Sequence, residues 1–105
     1  MVIKQGDDCM ATTKEYKDFI LEQLHLLDDI TCKPMMGEYL LYYHGLLFGG
    51  IYDDRFLVKK GEHNQKYQME ESIPYDGAKP MFLVDDVDDF ESLRDIVLDT
   101  CKDLK

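Results

Sequence analysis

The sequence predicts an α+β fold in two layers, an antiparallel sheet with an N-terminal and a C-terminal helix packed on it. Three observations carry this prediction. Apolar residues recur at helical spacing near both ends of the chain. Between them the pattern changes to short runs of β-branched, aromatic and aliphatic residues. Turn signals separate those runs at short intervals, which suits hairpins rather than strand–helix–strand crossovers.

Thr12 and Glu15 open the first element with the spacing of a capping box, a hydroxyl at the cap and a carboxylate three residues later. Tyr16, Phe19, Ile20, Leu24 and Leu27 then fall on one helical face, and Asp28-Asp29 interrupts it. A helix is therefore expected over 13–27. Strands follow at 31–36, 38–43, 46–52 and 55–60, divided by Gly37, His44-Gly45 and Asp53-Asp54. Tyr43-His44-Gly45-Leu46 has the form of a two-residue hairpin turn, with Gly45 free to take positive φ. Gly49 and Gly50 lie inside a strand, which points to a bulge or to a group packed closely above them.

The polar stretch 61–71, with Tyr67 and Met69, predicts a short exposed helix. A further hairpin is expected around Asp76-Gly77, with arms at 72–75 and 80–84. Pro74 and Pro80 place those arms at strand ends or at an edge, because proline cannot donate to the ladder. The closing helix, 89–103, starts at Asp88 or Asp89. Asp88 and Glu91 repeat the capping-box spacing, and Phe90, Leu93, Val97, Cys101 and Leu104 form its apolar stripe.

A chain of 105 residues has the size of one domain, expected over 12–105 behind a loose tail at 1–11. Hydrophobic residues make up 45%, and seven tyrosines and five phenylalanines supply large buried areas, so a packed core is expected. The charge is lopsided, with 22 acidic against 12 basic residues and a net charge of −10. That disfavours direct binding to nucleic acid or to anionic membranes, both of which reward clustered cations. No apolar run approaches the roughly 20 residues of a membrane span, and MVIKQGDDCMA at the start lacks a signal-peptide core. The cysteines, Cys9, Cys32 and Cys101, are odd in number and far apart, unlike a disulfide framework. Free thiols and a cytoplasmic location are the expectation.

Chemistry is sparse. The aspartate pairs 7–8, 28–29, 53–54, 85–86 and 88–89 could serve acid–base work or hard cations, but four of the five sit at predicted element boundaries, where turns and caps use them. His25, His44 and His63 show no metal-ligand spacing with each other or with cysteine. HGLLFGG at 44–50 matches neither GxGxxG nor GxxxxGK. No catalytic residue, metal or cofactor is expected. The most unusual local sequence is Lys33-Pro34-Met35-Met36-Gly37-Glu38-Tyr39. Its adjacent methionines suit core filling first, or an adaptable binding surface.

Lys33-Pro34-Met35-Met36-Gly37, followed by Tyr42, Gly45, Phe48 and Leu57-Val58-Lys59, resembles the N-terminal domain of the TfoX/Sxy family of bacterial competence regulators. Tyr75-Asp76-Gly77, Lys79-Pro80-Met81 and the stretch Phe90 to Cys101 continue the resemblance, which spans about 13–103. Met36 stands where the family usually has phenylalanine, Lys33 where it has arginine, and Asp85-Asp86 where a proline-containing turn is common. The chain ends at Lys105, without the family's second domain, and so looks like a stand-alone N-terminal domain. The resemblance implies a two-layer α+β domain without catalytic residues, and family regulators acting with the cyclic-AMP receptor protein. The function expected is that of a non-enzymatic protein-interaction module, a transcriptional co-regulator whose partner is a transcription factor or polymerase surface. The contacts expected are Lys33, Met35, Met36 and Gly37 at one turn and an acidic rim of Asp85, Asp86, Asp88 and Asp89. Exposed strand edges also invite a homodimer. The alternative is a small-molecule or peptide-binding domain, with Gly49 and Gly50 letting a ligand approach the sheet.

Overall fold

In a computed structural model, which describes residues 12–104, six antiparallel strands form one sheet between two helices in the chain. The tail expected at 1–11 lies outside the described residues. The elements are α1 (Lys14–Gln23), β1 (Ile30–Met35), β2 (Glu38–Tyr43), β3 (Leu46–Ile51), β4 (Phe56–Val58), β5 (Glu70–Ser72), β6 (Met81–Leu83) and α2 (Phe90–Lys102). The strand order is β1-β2-β3-β4-β6-β5, which leaves β1 and β5 as the edges.

Three successive hairpins build the meander, and each turns on two residues of positive φ: Met36-Gly37, His44-Gly45 and Asp53-Asp54. This backbone matches the twist of the flanking strands, and glycine or aspartate adopts it at low cost. Between β2 and β3 the register shifts, so that Leu41 faces Gly49 while Tyr42 faces Leu47, and Phe48 is the extra residue of a bulge.

Residues paired across the ladders share a face. One face carries Leu41, Ile51, Phe56, Val58 and Phe82, which pack with Ile20, Leu24 and Leu27 and with Leu93, Ile96, Val97 and Cys101. Both helices therefore cover the same side, and the main core lies between them and the sheet. Leu57, also fully buried, falls on the other face by register and lies outside that cluster.

Several boundaries differ from the sequence expectation. Thr13, not Thr12, caps α1, its hydroxyl accepting from the Tyr16 amide. The Thr12 hydroxyl is already committed, donating to Glu38 Oε1 at 2.7 Å and close to the Ile51 carbonyl, and this buried threonine ties the β2 start to the β3 end. After Gln23 the helix tightens into i→i−3 bonds, His25 to Glu22 and Leu27 to Leu24, so regular helix stops short of 27. Asp89 is the cap of α2, accepting from the Ser92 amide and hydroxyl. The helix expected in 61–71 is a single 3-10 turn, Gln65–Tyr67, and Glu70–Ser72 is an edge strand instead.

Asn64, with no exposed surface, explains the irregular stretch before β5. Its amide donates to the Lys59 carbonyl at 2.8 Å and the Thr100 hydroxyl at 2.9 Å, and its Oδ1 accepts from the Gly61 amide. Asp103 accepts from the His63 amide and ring, pinning the same loop to the end of α2. These bonds hold 59–64 to α2 in a conformation that a free helix would not share.

Candidate functional site

The sheet face away from the helices is covered by a strap, residues 73–80, which joins β5 to β6. Pro74 is buried in it, and the Tyr75 ring lies 6.2 Å from that of Tyr52. Tyr52 in turn lies over Gly50. A Cβ on Gly50 would sit 2.8 Å from the Tyr52 ring and 2.5 Å from the Tyr39 carbonyl. A Cβ on Gly49 would run into the Leu57 carbonyl and come within 2.9 Å of Val58 Cα. A side chain at either position would therefore collide with the chain itself; Tyr52 lies over Gly50, while Gly49 also lines a groove under the strap.

Arg55 holds the strap down. Its guanidinium donates to the Tyr52 carbonyl at 3.1 Å, to the Ser72 hydroxyl, to the Ile73 carbonyl at 3.1 Å and to the Pro74 carbonyl at 3.2 Å. A planar fork with several N–H groups can satisfy carbonyls on two segments at once, which an ammonium cannot.

Strap and sheet enclose an open groove of about 740 Å³. Its apolar walls include Met35, Leu40, Leu47, Tyr52, Tyr75 and Met81, and Lys59, Lys60 and Lys79 stand around it. No acidic residue lines it, in a chain that has 22. The distribution of ion pairs sharpens the contrast. On the helix side, Lys14 and Lys17 pair with Asp18, Arg94 with Asp95, and Lys66 and Lys102 with Asp99. Lys60 pairs with Glu71. Among the described lysines and arginines, Lys33, Lys59, Lys79 and Arg55 have no carboxylate within 4.0 Å, and all four belong to the strap side.

The expected contact residues fall in two separate places. Met35 lines the groove and Lys33 shares its strand face, its ammonium 5.1 Å from the Tyr42 ring centre. Met36 and Gly37 form the hairpin tip beside them. Met36 is 95% exposed at φ 53° and Met35 is 37% exposed, so the core-filling reading of this pair is overturned. The two-residue turn leaves no room for either methionine to fold back into the core. Asp85 and Asp86 line a different, smaller depression of about 340 Å³ with Tyr67 and Ile96. Asp85, Asp86 and Asp88 are exposed, whereas the Asp89 carboxylate is spent on capping α2.

The remaining reactive side chains are held in local contacts. The His44 ring meets Asp28 at 3.1 Å, His63 meets Asp103 at 2.8 Å, and His25 packs against Phe90. Burial pushes the Cys32 thiol above its ordinary pKa, which lowers its thiolate fraction at neutral pH. Burial alone would raise the Asp99 carboxyl. Hydrogen bonds from Tyr67, Lys102 and Lys66 outweigh it and bring the pKa down to about 2. Among the described residues no group of three or more His, Cys, Asp or Glu side chains is placed to hold a metal ion, and no helix is long and apolar enough to cross a membrane.

Sequence reasoning missed Arg55, Tyr52 and the strap. The one signal pointing there was Gly49-Gly50, which marked where a ring packs down.

The sequence profile described as the TfoX N-terminal domain matches residues 22–98. A protein of Spirochaeta aurantia, named as an uncharacterized 12.7 kDa protein in the trpE 5′ region, is 32% identical over 80 residues. The match covers 74% of this chain and 70% of that protein. No solved structure matches the chain.

Proposed function

The chain belongs to the TfoX N-terminal domain family, and from that premise we propose that it is a non-enzymatic protein-interaction module serving as a transcriptional co-regulator. The observation that carries this reading is Met36. A large apolar side chain that is 95% exposed, on a backbone at φ 53°, costs stability twice. Left-handed backbone costs a residue with a Cβ roughly 1–2 kcal/mol, and an exposed thioether forgoes burial. Such a position makes sense where a partner covers it, because methionine adapts to varied surfaces. The engaged histidines and the suppressed Cys32 thiol support the non-enzymatic part of the reading.

The contacts proposed are Lys33, Met35, Met36 and Gly37 at the β1–β2 tip, together with the acidic rim of Asp85, Asp86, Asp88 and Asp89. The partner is a transcription factor or polymerase surface whose basic patch meets the rim. The test is capture from the native cytosol by the tagged full chain, at low and high salt, read by mass spectrometry. A transcription factor or polymerase subunit should be recovered, less at high salt, less with Met36→Ser, and less with Asp85, Asp86 and Asp88 changed to Asn. Asp89 is kept because α2 needs it. Recovery unchanged in both variants would remove these surfaces, and no recovery at either salt would refute the module.

A second reading, a small-molecule or peptide-binding domain, is favoured by the groove under the strap.

A further inference from the structure

We infer that the groove between the strap and the sheet is a docking site for an acidic peptide segment of a partner protein. The segment would place large apolar side chains against Met35, Tyr52 and Tyr75 and carboxylates against Lys59 and Lys79. The inference deepens the interaction-module reading and rests on it, but it uses a surface that neither the hairpin tip nor the acidic rim supplies.

Charge complementarity identifies the occupant. The chain carries a net charge of −10, and its helix-side cations are each matched to an aspartate. Two of the lysines left without a carboxylate, Lys59 and Lys79, stand in the lining of this apolar groove, and that lining contains no acid. Glu71 is tied to Lys60 and Asp76 is exposed at the strap's turn, but neither lines the groove. The lining itself therefore sets ammonium groups over an apolar floor, the complement of an acidic, amphipathic segment. A basic or neutral segment would gain nothing from Lys59 and Lys79. The floor itself is wet in the free protein, with Tyr75 51% and Met35 37% exposed, so apolar area remains to be buried on docking. A volume of about 740 Å³ lies within the usual size of binding sites, roughly 300–1,000 Å³. Arg55 keeps the strap in place, so the groove is formed before the segment arrives.

Selection of random linear peptides displayed on phage, against the immobilised full chain, tests this. The selected peptides should be net acidic and contain an aromatic or large aliphatic residue. A synthetic copy should shift the NMR signals of Met35, Tyr52 and Tyr75. Lys59→Gln with Lys79→Gln should weaken it by about tenfold or more, with little change in the melting curve because, among the described residues, neither ammonium has a carboxylate within 4.0 Å. Selection of basic or neutral peptides, or equal binding by the double variant, would overturn the inference. So would recovery of no peptide together with shifts of the same signals by decanoate, which would make the occupant a small amphiphile. Self-association abolished by the double variant would overturn it in favour of a second copy. Failure here with cytosolic capture through Met36 intact would remove the groove and leave the module standing. Failure of both would remove the module as well.

Discussion

Replacing Arg55 with alanine should free the 73–80 strap while leaving the helix-side core in place. Four hydrogen bonds are lost, one to Tyr52 and three to Ser72, Ile73 and Pro74. A bond from a charged donor contributes about 1.5–3 kcal/mol at best, but the arginine is half-buried and water can reach part of what it leaves, so a total near 2 kcal/mol is expected. For a domain of this size that is a fall in Tm of roughly 8–16 °C. Arg55→Lys should recover little, because a point charge cannot span carbonyls on two segments. Thermal and urea unfolding give the stability. Hydrogen exchange gives the location: amides of 72–78 should lose more protection than those of β3, whose partners on both sides are untouched. Stability within 0.5 kcal/mol of the parent, or strap amides as protected as before, would refute the assignment of Arg55 as the clamp.

Met36→Asn should raise stability by about 1 kcal/mol, since Asn-Gly is the favoured pair for this turn, and the gain should appear as a higher urea midpoint with unchanged slope. Asn64→Ala should cost about 3 kcal/mol by losing three bonds and stranding a buried amide and carbonyl, read by calorimetry. Asp99 has a folded pKa of about 2 against an ordinary 3.8, so the stability it contributes is complete above pH 4 and is lost as the pH falls through 2. Asp99→Asn should therefore be less stable than the parent at pH 7 and converge with it towards pH 2, in unfolding series across that range.

What was legible in the sequence was whatever rests on local chemistry. Helical stripes, the His44-Gly45 and Asp53-Asp54 turns and the glycines of β3 each announce themselves within a few residues; the turns and glycines stand where their spacing put them, while α1 ends at Gln23 short of 27 and Phe90 of the second stripe is exposed. Thr12 misled by one residue, because the sequence shows a hydroxyl at the right distance but not whether another partner has claimed it; at the last helix, Asp89 rather than Asp88 of the two expected starts is the cap. Glu70 and Glu71 have the look of polar helix because an edge strand with both faces wet loses the alternation that reveals strands; of the hairpin arm expected at 72–75 only Ser72 is strand, and the rest belongs to the strap. The candidate site divides in the same way. The Met35–Gly37 turn stood out as odd chemistry, but that Met36 faces water follows only from the register of β1 with β2. The groove left little trace beyond Met35 and Gly49, since its walls come from stretches scattered between Met35 and Met81. Arg55 was equally hidden, because its acceptors are mostly backbone carbonyls, which every residue type carries.

The two outer strands have a consequence for how copies of this chain meet. One is interrupted by Pro34, which has no amide to offer an incoming ladder, and the other is only the three residues Glu70–Ser72, two of them charged. A neighbour seeking to prolong the sheet finds a blocked donor row on one flank and a short, like-charged rail on the other. The edges thus offer a homodimer less purchase than their exposure alone suggests, and leave the broad surfaces of the molecule, where side chains rather than backbone choose the companion.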